Sequence, residues 1–190
     1  MQIATSRFLL REFSDTDRQA FLDYQMDPRY QALYDQIGAD AGRANGLFDL
    51  FGAWRRENPR QNLQIGIFEK TTSRLCGCGG LRCAGNAEGA AVLGLELTPD
   101  DWGRYGVAIE VAGALIAHGF STLGLHTIKG ATASGNSRVD KLARWFGAVI
   151  VGRRDGPAWM SARGWHEVEW ALSRDAWETS PARRRLLKMS

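Results

Sequence analysis

From Trp102 to Phe120 the chain reads WGRYGVAIEVAGALIAHGF. Val107, Val111 and Leu115 recur at every fourth position, as do Ala112, Ile116 and Phe120, with Leu123 three further on. This spacing predicts an amphipathic helix with one broad buried face. Just upstream, Val92 to Leu97 alternates, with Leu93, Leu95 and Leu97 on one side and Val92, Gly94 and Glu96 on the other. That is the period of a strand. The local order is therefore strand, glycine turn, helix. The first-turn amides of such a helix have no intrahelical partner, and with the helix dipole they make a seat for phosphate.

The remaining pattern predicts the other elements. Arg7 to Phe13 reads as a first strand, and Ser14 with Asp17 as a capping box opening a helix at about Asp15 that Pro28 brings to an end. Gly38 to Gly46 reads as loose chain, and a second helix follows from Leu47 to Asn58. Gln61 to Lys70, a turn at Thr71-Thr72-Ser73, Leu75 to Cys83, a turn at Gly85 to Gly89 and Ala90 to Leu97 form a three-stranded meander. After the central helix come a strand at Thr127 to Thr132, a helix from Asn136 to Phe146 closed by Gly147, and strands at Val149 to Arg153 and Glu167 to Leu172. The segment between these last strands, Asp155 to His166, is long enough to cover a site.

With 190 residues and 21.0 kDa, the chain suits one domain, expected over 1–176, with a basic tail over 177–190. The formal charge of +3 comes largely from that tail, through Arg183, Arg184, Arg185 and Lys188. A body close to neutral gives no indication of nucleic-acid binding. Cys76, Cys78 and Cys83 lack both disulfide logic and the spacing of metal ligands, so they read as small apolar residues in a reducing cytoplasm, with no metal expected. No signal peptide and no apolar run of membrane-spanning length is present, and a cytoplasmic location is expected. A strand edge near Val168 to Leu172 leaves a homodimer open.

Gly103, Gly106 and Ala108 are small enough for a backbone to approach a ligand closely, although the same spacing fits an ordinary turn. The dinucleotide fingerprint and the P-loop are both absent. In sequence, Gly103-Arg104-Tyr105-Gly106-Val107-Ala108 resembles the pyrophosphate loop R/Q-x-x-G-x-G/A of the GNAT superfamily of acetyl-CoA-dependent N-acetyltransferases. Asn136, with Gly147 eleven residues later, resembles that family's second motif, N-x-x-S-x-x-V-x-E-K-x-G-F. The opening RFLLREFSDTDRQAFLDYQMDP resembles the branch that includes ribosomal-protein N-terminal acetyltransferases. The resemblance spans roughly residues 7–173. It implies an α/β fold of α+β type, with a mixed, mostly antiparallel central sheet flanked by helices. It also implies acetyl-CoA as acyl donor and a primary amine as acceptor. On this reading the backbone of Gly103, Arg104, Tyr105, Gly106, Val107 and Ala108 holds the pyrophosphate, and Leu95, Leu97 and Asn136 hold the pantetheine arm. Gly103 stands where the family usually has Gln or Arg. Val139 and Ala143 occupy positions where relatives carry Ser and a proton-donating Tyr, which leaves the general acid unassigned. Ser137 is either a helix cap or a substitute acid.

Glu96 is the candidate base, set against the plainer reading of a surface carboxylate on a half-exposed strand. An α-amine, with pKa near 8, is partly neutral at pH 7, whereas a lysine near 10.4 must be brought down by about three units, roughly 4 kcal/mol. One carboxylate acting through water suits the α-amine better. Trp159 and Trp165 are candidates for an acceptor wall. His118 reads as a packed histidine. A catalytically silent acyl-CoA-binding module is the alternative, motivated by the missing Ser and Tyr.

Overall fold

The alternating segments pair into one eight-stranded sheet in the order β1-β2-β3-β4-β5-β6-β8-β7. Its strands are β1 (Gln2–Ala4), β2 (Phe8–Arg11), β3 (Asn62–Glu69), β4 (Leu75–Arg82), β5 (Ala90–Leu97), β6 (Thr127–Ala133), β7 (Val149–Arg154) and β8 (Glu167–Ser173). The computed structural model describes residues 1–33 and 40–187. Every strand pair is antiparallel except β5 with β6. This is the mixed, mostly antiparallel sheet flanked by helices that the sequence predicts.

Helices α1 (Arg18–Gln25), α2 (Pro28–Leu33) and α3 (Ala41–Arg56) precede β3. Of these, α1 and α3 bury Phe21, Tyr24, Phe48 and Phe51 with Phe13 and Phe68 against one face of the sheet. Helix α4 (Tyr105–Ser121) covers the opposite face, where Val107, Val111 and Leu115 meet Leu63, Ile65 and Ile67 of β3. The strict alternation of β3 is thus the partner of the four-residue spacing of α4. Beyond α4 lie α5 (Ser137–Phe146), α7 (Arg174–Thr179) and α8 (Pro181–Leu186), with α6 (Ala158–Ala162) between β7 and β8.

Several expectations need correction. Pro28 ends α1 as expected, but its fixed φ and missing N–H also suit it to open α2. Within the stretch expected to be loose, residues 38 and 39 lie outside the described residues. Ala41 to Gly46 is helical, because Asp40 caps α3 by accepting from the Arg43 amide at 3.1 Å and Ala44 is buried. The tail expected from residue 177 onward is instead, as far as 187, part of the body. Trp177 and Ala182 are buried with Phe120, Phe146 and Leu172, and Leu186 packs over Gly113. The proposed pairing edge at Val168 to Leu172 is also displaced, since β8 lies between β6 and β7. The edge at this end of the sheet is β7, where Val149 and Val151 are exposed.

Between β5 and α4 a single 3-10 turn, Pro99–Asp101, reverses the chain around a buried carboxylate. Asp101 is only 1% exposed and accepts from Arg74 at 2.7 and 3.0 Å, from the Thr98 hydroxyl at 2.9 Å and from Arg104 at 3.3 Å. Burial pushes the Asp101 carboxyl up. Hydrogen bonds from Arg74 and Thr98, with the charges of Arg74 and Arg104, outweigh burial and hold it below the usual carboxylate range.

A carboxyl lowered in the folded state stabilises the fold fully above its unfolded pKa, near 3.9, and loses that contribution as pH falls through the lower folded value. Arg74→Met should therefore destabilise the protein by about 2 kcal/mol at pH 7. That is below the roughly 3–5 kcal/mol of a fully buried pair, because Arg74 is 39% exposed. Chemical denaturation at pH 7 and below pH 4 checks this. The deficit should narrow in acid, and an unchanged deficit would assign the loss to packing of the Arg74 stem.

Candidate active site

Strands β5 and β6 stay together only through Ala90–Thr127, Ala91–Ile128 and Val92–Lys129, while β4 follows β5 as far as Leu97. Beyond Val92 the β6 side of β5 is open. Cβ atoms placed on Gly79 and Gly77 would stand 3.1 Å from the Gly94 carbonyl and 2.1 Å from that of Glu96, so those groups face β4. Backbone alternation then turns Leu95 and Leu97 into the opening. The Leu97 carbonyl accepts from the Trp102 indole N–H at 2.9 Å, which gives Trp102 a structural role. Asn136 begins α5 across the opening. Its side-chain oxygen caps the Val139 amide at 3.3 Å, and its NH₂ has no partner among the described residues.

At the wide end of the opening, Gly103 takes φ 81°, a left-handed value that glycine adopts without strain. Arg104 is the N-cap of α4. The N–H groups of Gly103 and Gly106 have no backbone acceptor among the described residues, whereas the Val107 amide already donates to the Arg104 carbonyl at 2.9 Å. Val107 is a core residue, and Ala108 is half-buried in the first turn of α4. Arg104 is 61% exposed and already paired with Asp101. The Tyr105 side chain lies outside the described part of the structure.

No pattern along the chain signals the latch behind this turn. The backbone N–H and Nε of Arg7 each donate to Glu110 at 2.8 Å, and its Nη2 donates to the Gly106 carbonyl at 2.8 Å. Glu110 is buried, which pushes its carboxyl up, yet hydrogen bonds from Thr5 and Arg7 bring it below the usual range.

Glu96 points to the α1–α3 face, where its carboxylate is held by four donors. Oε1 accepts from the Tyr24 hydroxyl at 2.6 Å, the Gln25 side-chain amide at 2.8 Å and the Cys78 thiol at 3.2 Å. Oε2 accepts from the Tyr30 hydroxyl at 2.6 Å, which leaves it one lone-pair direction. Burial, with the nearby Cys78 and Glu96, pushes Tyr24 well up, and burial beside Glu96 does the same for Cys78. Both therefore remain protonated donors at neutral pH. Cys78 stands directly opposite Glu96 in the β4–β5 ladder.

Behind Cys78, the Gln64 side-chain amide donates to its sulfur at 3.1 Å. Gln64 also lines a cavity of about 440 Å³ between α3 and the strand below it, bounded by Phe13, Phe48, Phe51 and Arg55. That cavity adjoins the Glu96 cluster but does not contain it. His118 is packed in α4, and burial lowers its pKa, as expected of a structural histidine.

Trp159 and Trp165 do come together, with ring centroids 6.5 Å apart at 82°. Arg163 lies over both rings at 5.3 and 5.4 Å and donates to the Ala32 carbonyl of α2 at 3.4 Å. Trp165 also packs on Gly135, beside Asn136. The segment expected as a covering loop thus carries α6 and is tied to α2. Among the described residues no cluster of His, Cys, Asp or Glu is arranged to hold a metal, and no helix is long and apolar enough to cross a membrane.

Residues 7–149 match the family model described as Acetyltransferase (GNAT) domain. A curated relative, the uncharacterized N-acetyltransferase YoaA of Bacillus subtilis (strain 168), is 29% identical over 143 residues, covering 74% of this chain and 78% of that one. Spermidine N-acetyltransferase from Vibrio cholerae, solved with CoA and spermine, superposes with a TM-score of 0.76 at 15% identity, over 92% of this chain and all of that one. A putative ribosomal-protein-serine acetyltransferase from Vibrio cholerae gives 0.70 at 20% identity over 91% and 97% of the two chains. An acetyltransferase (GNAT family) from Bacillus anthracis gives 0.73 at 18% over 92% and 99%. With an open strand edge leading into an unsatisfied helix start, and a family match over most of its length, the chain belongs to the GNAT acetyltransferase family and is an acyltransferase.

Proposed function

We propose that the protein moves acetyl from acetyl-CoA to a primary amine, an α-amine by preference, with Glu96 as general base. The observation that carries this reading is the Glu96 carboxylate, fixed by Tyr24, Gln25, Tyr30 and Cys78 on the strand that borders the opening and keeping one Oε2 lone pair for a water or an amine. The pyrophosphate belongs at the Gly103 to Ala108 turn, on the free amides of Gly103 and Gly106. The pantetheine arm runs along Leu95 and the Leu97 N–H, opposite the Asn136 NH₂.

In this geometry the amine nitrogen attacks the thioester carbonyl carbon. A C–N bond forms, the C–S bond breaks, and the amine proton passes to Glu96, directly or through one water. Val139 and Ala143 supply no acid. A thiol with a pKa near 8.5 is a sufficiently good leaving group to depart as thiolate and take a proton from water or from protonated Glu96. The named acceptors of the structural neighbours include both polyamine and protein amines, so the neighbours leave the amine class open. Trp159, Trp165 and Arg163 form the acceptor rim in this reading. A second copy, if one pairs, does so at β7.

Glu96→Gln removes proton acceptance while retaining shape. It should lower kcat/KM by about 10² or more near neutral pH, with acetyl-CoA affinity scarcely moved. The deficit should shrink as pH rises past the amine's own pKa, because the amine then arrives neutral. A pH profile of both proteins measures this. A loss by the same factor at every pH would make Glu96 a structural residue.

Gly106→Val addresses the donor end. The nearest atom to a Cβ there is Arg7 Nη2 at 3.2 Å, the tip of the latch, which needs to give by only a few tenths of an ångström, so the fold should survive while the branched side chain crowds the pyrophosphate. Calorimetry should show acetyl-CoA binding lost, along with the thermal shift that acetyl-CoA gives the wild type. Unchanged binding would remove the turn from the donor site.

A further inference from the structure

The β4–β5 ladder carries a second charged side chain to the Glu96 face. Cys78 pairs with Glu96, Gly80 with Gly94 and Arg82 with Val92, so these six residues share one side of the sheet. A Cβ on Gly94 would stand 2.2 Å from Arg82 Nη2. The guanidinium therefore reaches from its place opposite Val92 to Gly94, the next position on this face towards Glu96, with Nη2 in room that only a glycine leaves.

Arg82 is half-buried in this position. Five other half-buried arginines find acceptors, whereas the Arg183 side chain of α8 has none among the described residues. Arg11 donates to Asp17, Arg18 to Asp49, Arg60 to Glu12, Arg74 to Asp101 and Arg174 to the Leu125 carbonyl. Arg82 donates to no acceptor among the described residues, and it forms no ion pair with Glu96. A partly desolvated guanidinium without a counter-charge is costly for the fold and suited to a ligand anion.

We infer that Arg82 reads an anionic group on the acceptor, and that the acceptor is a small amine bearing a carboxylate close to the reacting nitrogen, a free amino acid being the simplest case. Gly94 and Glu96 are two residues apart on one face, about 7 Å along a strand. An amino acid, with its amine and carboxylate a few ångströms apart, reaches across about 9 Å once a hydrogen bond of about 3 Å is added at each end, a span open to two side chains that rise from strand positions about 7 Å apart. Its nitrogen then faces Glu96 while its carboxylate rests on Arg82. This rests on the proposal that the acceptor approaches on the Glu96 face. It excludes polyamines and the α-amines of proteins, whose adjacent carbonyl is an uncharged amide.

The test compares free L-amino acids with the matching L-amino-acid amides, and with spermidine as an amine without an anion, by CoA release from acetyl-CoA. Amide amines are less basic and more often neutral, so intrinsic reactivity runs in their favour. The wild type should nevertheless prefer its best free acid by about 10- to 100-fold in kcat/KM, the range of a charge-assisted hydrogen-bonded contact. Arg82→Gln should bring that ratio near one, chiefly through the KM of the acid, and Arg82→Lys should restore part of it. Gly94→Ala, which keeps the charge but displaces the guanidinium, should also erode the ratio. Amides or spermidine used as well as the acids by the wild type would overturn the inference, as would an acid preference that survives Arg82→Gln. If no amine releases CoA, the transferase proposal fails by itself. Calorimetry of acid and amide on the CoA-loaded protein then still decides the inference, which tighter binding of the acid supports and equal binding overturns.

Discussion

A sheet in which two neighbouring strands part company has to account for the backbone groups left between them. Here β5 leaves β6 after Val92, and the N–H and C=O of Leu95 and the N–H of Leu97 face a gap where a ladder would otherwise continue. Buried without a partner, each such group would cost about 1–3 kcal/mol. The gap is therefore stable only if water or a ligand fills it. An extended chain carrying amides, such as the proposed pantetheine arm, offers both N–H and C=O groups to pair with them. The helix start at Gly103 to Gly106 continues the same line of unsatisfied donors to where a phosphate would lie.

Holding that gap open requires rigidity on both sides, and four of the eight buried polar or charged residues among those described serve there. Thr98 and Asp101 brace the turn between β5 and α4, Glu110 braces the first turns of α4 through Arg7, and Gln25 sits on the Glu96 carboxylate. Elsewhere the core is almost wholly aromatic and aliphatic. An apolar core holds the sheet together without specifying the exact pose of one turn, since apolar contacts are non-directional. Hydrogen-bonded carboxylates specify it, because each misplacement strands a buried charge.

Legibility in the sequence follows the same division. The strand alternation of β3 and β5 and the four-residue spacing of α4 were readable because each segment buries one face against one partner. The glycine turn ahead of α4, with its free amides, was readable because its chemistry is local backbone. Cys78 opposite Glu96 was nearly readable, since the β4–β5 hairpin is symmetric about Ala87, the midpoint of the glycine turn. Tyr24, Gln25 and Tyr30 were not, because their approach to Glu96 depends on how two separate helices pack, over more than sixty residues of chain. The helices at 174–186 were missed because their arginines read as a solvated tail, while Trp177 and Ala182 carry the burial. The N-terminal half of α3 was missed because Gly42 and Gly46 argue against a helix that the Asp40 cap and tertiary packing nevertheless form.

The structural neighbours share this fold at 13–22% identity while their names carry different acceptors. A donor site built from strand edge and helix start explains how that is possible. Main-chain amides persist through almost any change of side chain, so the coenzyme end tolerates divergence as long as the few glycines that permit close approach remain. The acceptor end proposed above is made of side chains: Glu96 with its tyrosines, Arg82 over Gly94, and the tryptophan pair around Arg163. Acceptor choice can therefore diverge faster than the fold, and at such identities the neighbours inform the fold alone while this protein's own side chains must inform its acceptor.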